Sequence, residues 1–337
     1  MLLLRDGSRR GGEKQEIAMK AKGLCAALAL LLTASPALAE DFPNRPVRFV
    51  VPFSAGGPTD TAARLIAEPL QRQLGQTIVI ENRPGASGVP ATEAVVQGPH
   101  DGYTLVVGGI APIVLIPAVK AVRYNVEKDL VPLGLIWQSP QVLAVRTGLP
   151  VNSVSELVAY AKANPDKLTI GSAGVGTVTH LANELFKAET GITFTHVPYR
   201  STSNSVTDLR GGQIDAIFGD VAILKPQVED KGIKALAITS KKRSPLMPDL
   251  KTMGELGYPN VQTEVWFGLF TPTGAPEAVI KRLKDAVRAA QADPEFKKGL
   301  EKFGTELDNE GADGFAAFLR SETKRWTPLM KAAGITF

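Results

Sequence analysis

The chain has 337 residues, 44% hydrophobic and 21% charged, with 38 Lys and Arg against 34 Asp and Glu and a single cysteine. A formal charge of +4 over this length leaves no electrostatic footprint for nucleic acid, and one thiol excludes a disulfide framework. The chain is long enough for two domains of roughly 100 to 150 residues each, and it carries no internal repeat or low-complexity tract.

In chain order the first feature is a leader. From Met19 the sequence runs Met-Lys-Ala-Lys, then an uncharged Leu- and Ala-rich stretch from Gly23 to Pro36, then Ala37-Leu38-Ala39 before Glu40. A basic segment, a short apolar run and an A-x-A site predict export and cleavage after Ala39. The apolar run, roughly 12 residues against the ~20 needed to span hydrocarbon, is too short for an anchor. Residues 1–18 contain Asp6, Glu13 and Glu16, which fits either a long basic leader or a true start at Met19. Cys25 sits near the start of the apolar run, so a lipoprotein is not expected, and residues 40–337 contain no cysteine. Losing the leader's six basic and three acidic residues lowers the net charge from +4 to +1.

Strand and helix signals then alternate. Val47 to Pro52 reads as a strand, Ser54-Ala55-Gly56-Gly57-Pro58 as a Gly-rich turn, and Thr59 to Leu74 as a helix stopped at Gly75. Thr77 to Glu81 is a strand, Asn82 to Gly88 a loop, Ala91 to Gln97 a short helix and Tyr103 to Val107 a strand. The order is that of a parallel sheet with crossover helices. Further on, strands are expected at Gln141 to Arg146, Leu168 to Ile170, Ile192 to Val197, Ile214 to Phe218 and Ala235 to Thr239. Helices are expected at Ser153 to Ala163, from Thr177 to about Glu189, and around Ser205 to Arg210. Gly171 to Gly176 is a second Gly-rich turn. Val265 to Phe270 reads as a strand, and Pro276 to Ala292, Pro294 to Gly299 and Ala312 to Ala333 as helices that return to cover the first sheet. The expected architecture is α/β with two lobes: residues 40–140 and 264–337 in one, 141–263 in the other, joined by two crossings near Gln141 and Glu264 that form a hinge.

Each Gly-rich turn follows a strand and precedes a helix, so backbone N–H groups and the positive end of a helix dipole gather at the carboxyl edge of a sheet. Two such turns facing one cleft suit a small anion, above all one with two carboxylates. Gly171 to Val178 has the glycine spacing of a P-loop, but Thr177 stands where the lysine belongs, and neither turn reads G-x-G-x-x-G. The three histidines, His100, His180 and His196, show no metal-ligand spacing. No G-x-S-x-G elbow is present, and a hydrolase built on Ser172 and His180 is the weakest of the alternatives.

Arg45 to Asp60, Glu81 to Ala86, Asp101 to Leu105, Ala159 to Pro165, Gly171 to Thr177 with His180, His196 to Arg200, Ala235 to Ser240 and Trp266 to Leu269 together resemble the tripartite tricarboxylate transporter substrate-binding family, the Bug-type extracytoplasmic receptors. The segments are collinear over nearly all of residues 40–337. The resemblance implies a two-lobed, type II-like periplasmic binding fold, a small organic acid ligand and a two-subunit integral membrane permease as partner. It implies no catalytic residue, metal, cofactor or nucleic acid, and a monomer in the periplasm; a ligand sensor for signalling would use the same fold. Carried over, the first clamp is Phe53, Ser54, Gly56, Gly57, Thr59 and Asp60, and the second is Ser172, Gly174, Gly176, Thr177 and His180. Tyr199, Arg200 and Asp220 complete the candidate set. Asp60 is either a ligand contact or a carboxylate at a helix start, and His180 either a ligand contact or a packed, backbone-bonded imidazole. Arg83 and Arg200 serve either the cleft, with Arg200 the better carboxylate fork, or salt bridges within a lobe. The sequence departs from the family at Ser201 to Ser205, where Gly and Pro are common, at Gly219, where Asp is frequent, and at Ala275, where Thr is common. Ligand identity therefore does not transfer by analogy.

Overall fold

The computed structural model describes residues 42–305, 307 and 311–332. The expected leader, its expected cleavage site and Cys25 lie outside them. Every element below belongs to one compact unit that begins at Arg45.

β1 (Val47–Val51) is a buried β-branched run lying between β2 (Ile78–Asn82) and β3 (Thr104–Gly109), parallel to both. α1 (Pro58–Leu74) follows β1. Proline at its start needs no amide partner, Gly75 in the left-handed region (φ 70°) ends it, and Ala62, Ala63, Ile66 and Leu70 form its buried face. α2 (Val89–Val96) connects β2 to β3, and a π-helical turn, Ala111–Leu115, follows β3. β4 (Leu130–Arg146) has 17 residues and starts well before the Gln141 that the sequence suggests. Pro132, Gly134 and Pro140 disguise its first part as a loop. The strand tolerates them because its register shifts between Pro132 and Gly134 and again between Leu135 and Trp137.

The chain continues through α3 (Val154–Ala163), β5 (Thr169–Ser172), α4 (Val178–Thr190), β6 (Thr195–Pro198), α5 (Thr202–Arg210), β7 (Ala216–Asp220), α6 (Val221–Glu229), β8 (Ile233–Ile238) and β9 (Glu264–Pro272). It closes with α7 (Glu277–Ala292), α8 (Pro294–Glu301) and α9 (Gly311–Ala332). β6 begins three residues later than Ile192, since Gly191 (φ 66°) ends α4 and the ladder with β5 starts only at Thr195. The turn at Ala111–Leu115 and α6 carry no signal that the sequence reading used.

The nine-stranded sheet has the order β2-β1-β3-β9-β4-β7-β5-β6, with β8 on β4. From Leu130 to Pro140, β4 pairs with β9, and from Gln141 onward it pairs with β7 on one edge and β8 on the other. The handover falls between Pro140, opposite Glu264, and Gln141, opposite Asp220. The pairings bring the carboxyl ends of β3 and β7 to this same junction. α7 and α8 return to pack on α1, with Gly299 against Leu65, and α9 packs on β4 and the π-helical turn.

α4 is apolar on two sides. Ala182 and Phe186 enter the core of their own half with Leu143, Ile170 and Phe218. Val178, Leu181 and Leu185 enter the core of the other half with Ile110, Ile113, Val114 and Trp266. The helix that follows the second Gly-rich turn is therefore seated against the half that carries the first.

Candidate ligand-binding site

The first turn is held from below by Asp60, whose side chain is 4% exposed. Its Oδ2 accepts the Gly56 amide at 3.0 Å and Arg64 Nε at 2.8 Å, and its Oδ1 accepts Asn82 Nδ2 at 3.0 Å and Arg64 Nη2 at 3.2 Å. Burial alone would raise its pKa; the Arg64 guanidinium, the Gly56 amide and Asn82 outweigh that and hold it at about 2. Asn82 also donates to the Phe53 carbonyl at 3.0 Å. Both oxygens of Asp60 thus serve the turn, with Gly56 in the left-handed region (φ 79°) as the geometry requires. Phe53 and Gly57 are half-buried, Ser54 and Gly56 exposed and Thr59 buried. Among the described residues, the amides of Ser54, Ala55 and Thr59 find no acceptor.

The second turn is more heavily bonded. Ser172 Oγ accepts the Gly174 amide at 3.1 Å and lies 2.7 Å from His196 Nε2. The Ala173 amide donates to Thr179 Oγ1 at 2.8 Å, and Gly176 donates to His180 Nδ1 at 3.1 Å. Thr177 is the helix cap: its hydroxyl donates to the Gly174 carbonyl at 2.7 Å and accepts the His180 amide at 3.4 Å. Glycine is needed at 174 (φ 125°), where a Cβ would also stand 3.2 Å from the Tyr199 carbonyl, and at 176 (φ 76°). What remains for a ligand among the described residues is the exposed Val175 amide and those of Val178 and Thr179 in the first turn of α4. Ala55, Val175, Val178 and Thr179 carry no signal in the sequence because glycines and hydroxyls were followed there; in the second turn those groups largely maintain the shape, and Val175 presents a free N–H.

His180 takes its backbone-bonded form: stacked on His196 with ring centroids 4.2 Å apart, it is nearly buried. Tyr199 directs its hydroxyl to Asp208 Oδ2 at 2.8 Å, and burial followed by that carboxylate pushes the phenol up to about 12. Arg83 pairs with Glu81 at 2.6 Å, a bridge within its own half, whereas Arg200 is exposed and unpaired among the described residues. Asp220 caps α6 by accepting the Ala222 amide at 2.9 Å; its Oδ2 is buried and has no protein partner. Burial raises its pKa to about 6 against the lowering pull of that amide, and the buried Ser139 Oγ likewise has no hydrogen-bond partner among the described residues.

The two turns are linked through intermediate packing. Pro52, next to Phe53, and Pro112 both stand within 3.3 Å of a Cβ placed on Gly88, and residues 113 and 114 share a core with Val178 and Leu181. A separate cavity of about 450 Å³ lies at the strand crossing, lined by Gln138, Lys241, Glu264, Glu322 and Arg325 among others, and no clamp residue borders it. Ser172 meets His196 and not His180; beside His196 stands a second imidazole in place of a carboxylate, so no triad is assembled. Among the described residues no group of three metal-ligating side chains is present and no helix is long and apolar enough to cross a membrane.

Residues 62–335 match the model of the tripartite tricarboxylate transporter family receptor. The periplasmic binding protein BugD is 34% identical, with a TM-score of 0.74 over 87% of this chain and 99% of that one. Rpa4515 of R. palustris, solved with adipate, is 35% identical, with a TM-score of 0.79 over 88% and 99%. MatC of Rhodopseudomonas palustris, solved with malate, is 32% identical, with a TM-score of 0.75 over 86% and 100%. These neighbours are solute-binding receptors, not enzymes, and share the α/β periplasmic binding fold described above. With its fold, its collinear turns and a match over most of its length, the chain belongs to the tripartite tricarboxylate transporter receptor family.

Proposed function

We propose that this receptor is exported to the periplasm, with cleavage after Ala39, captures a small dicarboxylate between its two halves and delivers it as a monomer to a two-subunit membrane permease. Residues 40–140 and 264–337 act as one lobe and residues 141–263 as the other. The observation that carries the reading is the set of amides without acceptors at both turns: Ser54, Ala55 and Thr59 on one side, Val175, Val178 and Thr179 on the other. Each set lies at a helix start, where unpartnered N–H groups and the helix dipole favour an anion. The ligand receives one carboxylate in each set. Arg200 closes over the second carboxylate as a planar fork, and Asp220, protonated below about pH 6, donates to a ligand oxygen. The adipate and malate in the two R. palustris neighbours support the choice of ligand class. Native mass spectrometry of the exported protein should reveal a retained acid on a chain beginning at Glu40. Calorimetry should give saturable binding of adipate or malate, and small-angle scattering a smaller radius of gyration in the bound state. Absence of binding by a panel of mono-, di- and tricarboxylates would overturn the ligand class, and an unchanged radius on saturation the closure.

A further inference from the structure

The second turn rests on two imidazoles that contact no free amide. The Gly176 N–H donates to His180 Nδ1, so that nitrogen is an acceptor and the ring's proton sits on Nε2, 3.8 Å from the Glu184 carboxylate on the same helix. His196, from β6, stacks on this ring at an interplanar angle of 7° and contacts Ser172 Oγ, which in turn accepts the Gly174 amide. Thus the amides of Gly174 and Gly176 are held by this group, Gly176 directly and Gly174 through Ser172. Glycine reaches many backbone states at similar energy, so the conformations at Gly176 (φ 76°) and Gly174 (φ 125°) are selected by the bonds that hold them.

We propose that His180 and His196 are positioning residues for capture: as a stacked neutral pair they fix the turn that offers Val175, Val178 and Thr179 to the ligand, and a proton on the pair releases it. This rests on the dicarboxylate-receptor reading. A proton can enter His180 only at Nδ1, where it faces the Gly176 N–H and breaks that bond. A proton on His196 places a charge in stacking contact with its neighbour. Glu184 is the charged group that faces the pair, from α4; Ser172, Thr177 and Thr179 around it are uncharged. Burial lowers both imidazoles, His196 to about 4 with His180 adding to the effect and Glu184 opposing it, so the pair stays neutral near pH 7. A group with a depressed folded pKa that must be neutral to act works above that pKa and fails as pH falls through it.

The test compares adipate affinity between pH 4 and 8 in the wild type, His180→Asn and His180→Leu. Asn offers an oxygen at the place of Nδ1 and takes no proton, whereas Leu offers no acceptor. His180→Leu should lose at least tenfold in affinity at neutral pH with its circular dichroism unchanged, and His180→Asn should restore most of that loss. The wild type should lose affinity relative to His180→Asn as pH falls toward 4, approaching tenfold per pH unit only below the pair's own titration, a comparison that cancels titration of the ligand itself. Nitrogen-15 spectra provide a readout without ligand, since the sequence holds only three histidines. The His180 ring should show an unprotonated Nδ1 at pH 6, and the Gly176 amide should shift as the pair is titrated. Parallel pH profiles for wild type and His180→Asn, or imidazoles that titrate near 6.5 without moving the Gly176 amide, would overturn the proposal. Imidazoles and Gly176 that behave as stated in a protein that binds no adipate at pH 7 would support the turn-holding pair and count against the dicarboxylate reading instead.

Discussion

Asp60 and Asp220 are two buried carboxylates with opposite settings. Asp60 is surrounded by donors and stays ionised, whereas Asp220 has one amide and one unpartnered oxygen and is driven toward its neutral form. For Asp220 the folded pKa, about 6, lies above the ordinary 3.8, so its contribution to stability is complete below 3.8 and is lost as pH rises through 6. Asp220→Asn keeps an oxygen for the Ala222 amide and never ionises. Relative to wild type, the variant should therefore gain on the order of 1–3 kcal/mol in unfolding free energy between pH 4 and pH 7. Urea melts of the two proteins at both pH values check this; a difference independent of pH would mean that Asp220 is ionised in the fold. At this scale the sequence displayed the residue types that build the turns but not their direction. Asp60, Thr177 and His180 were legible as members of the turns, yet nothing in their spacing tells whether an oxygen or ring nitrogen turns toward the cleft or back toward its own loop. That is decided by bonds within each loop, to Gly56, Arg64, Gly174 and Gly176, together with two partners distant in sequence, Asn82 and His196.

Among the elements, those with an unbroken periodic pattern were read closely: α1 from Pro58, α7 to Ala292 and α8 from Pro294 lie within a residue or so of their sequence signals at these ends. Elements were lost where tertiary pairing overrides local preference. The first part of β4 forms with two prolines and a glycine in it because β9 supplies a ladder along its length. The glycines there have a packing reason. A Cβ on Gly268 of β9 would stand 2.1 Å from Phe315 of α9, a fully buried ring. Gly268→Ala forces that ring off the sheet and should destabilise the protein by about 1–3 kcal/mol without a change in the Arg64–Asp60 turn. Thermal melts of Gly268→Ala and of the double variant Gly268→Ala, Phe315→Leu locate the effect: overpacking predicts that the second substitution recovers part of the loss, and equal melting of the two variants would refute it.

At the scale of the whole molecule, β4 belongs to both halves. Residues 130–140 form an edge of one half-sheet, and residues 141–146 lie in the middle of the other, between β7 and β8. Neither half can complete its hydrogen bonding while β4 is unfolded, and α4 adds Val178, Leu181 and Leu185 from one half to the core of the other. A hinged receptor with two lobes would otherwise be expected to melt in two stages. Here the shared strand ties the stability of one half to that of the other, so folding should be a single cooperative event. Differential scanning calorimetry without ligand should give one transition whose van't Hoff and calorimetric enthalpies agree, and two resolved peaks would contradict it. The strand that joins the halves also denies them separate existence: damage to β4 on either side of the junction should withdraw the whole receptor from the folded population, and a truncation ending at Pro140 should yield no folded half.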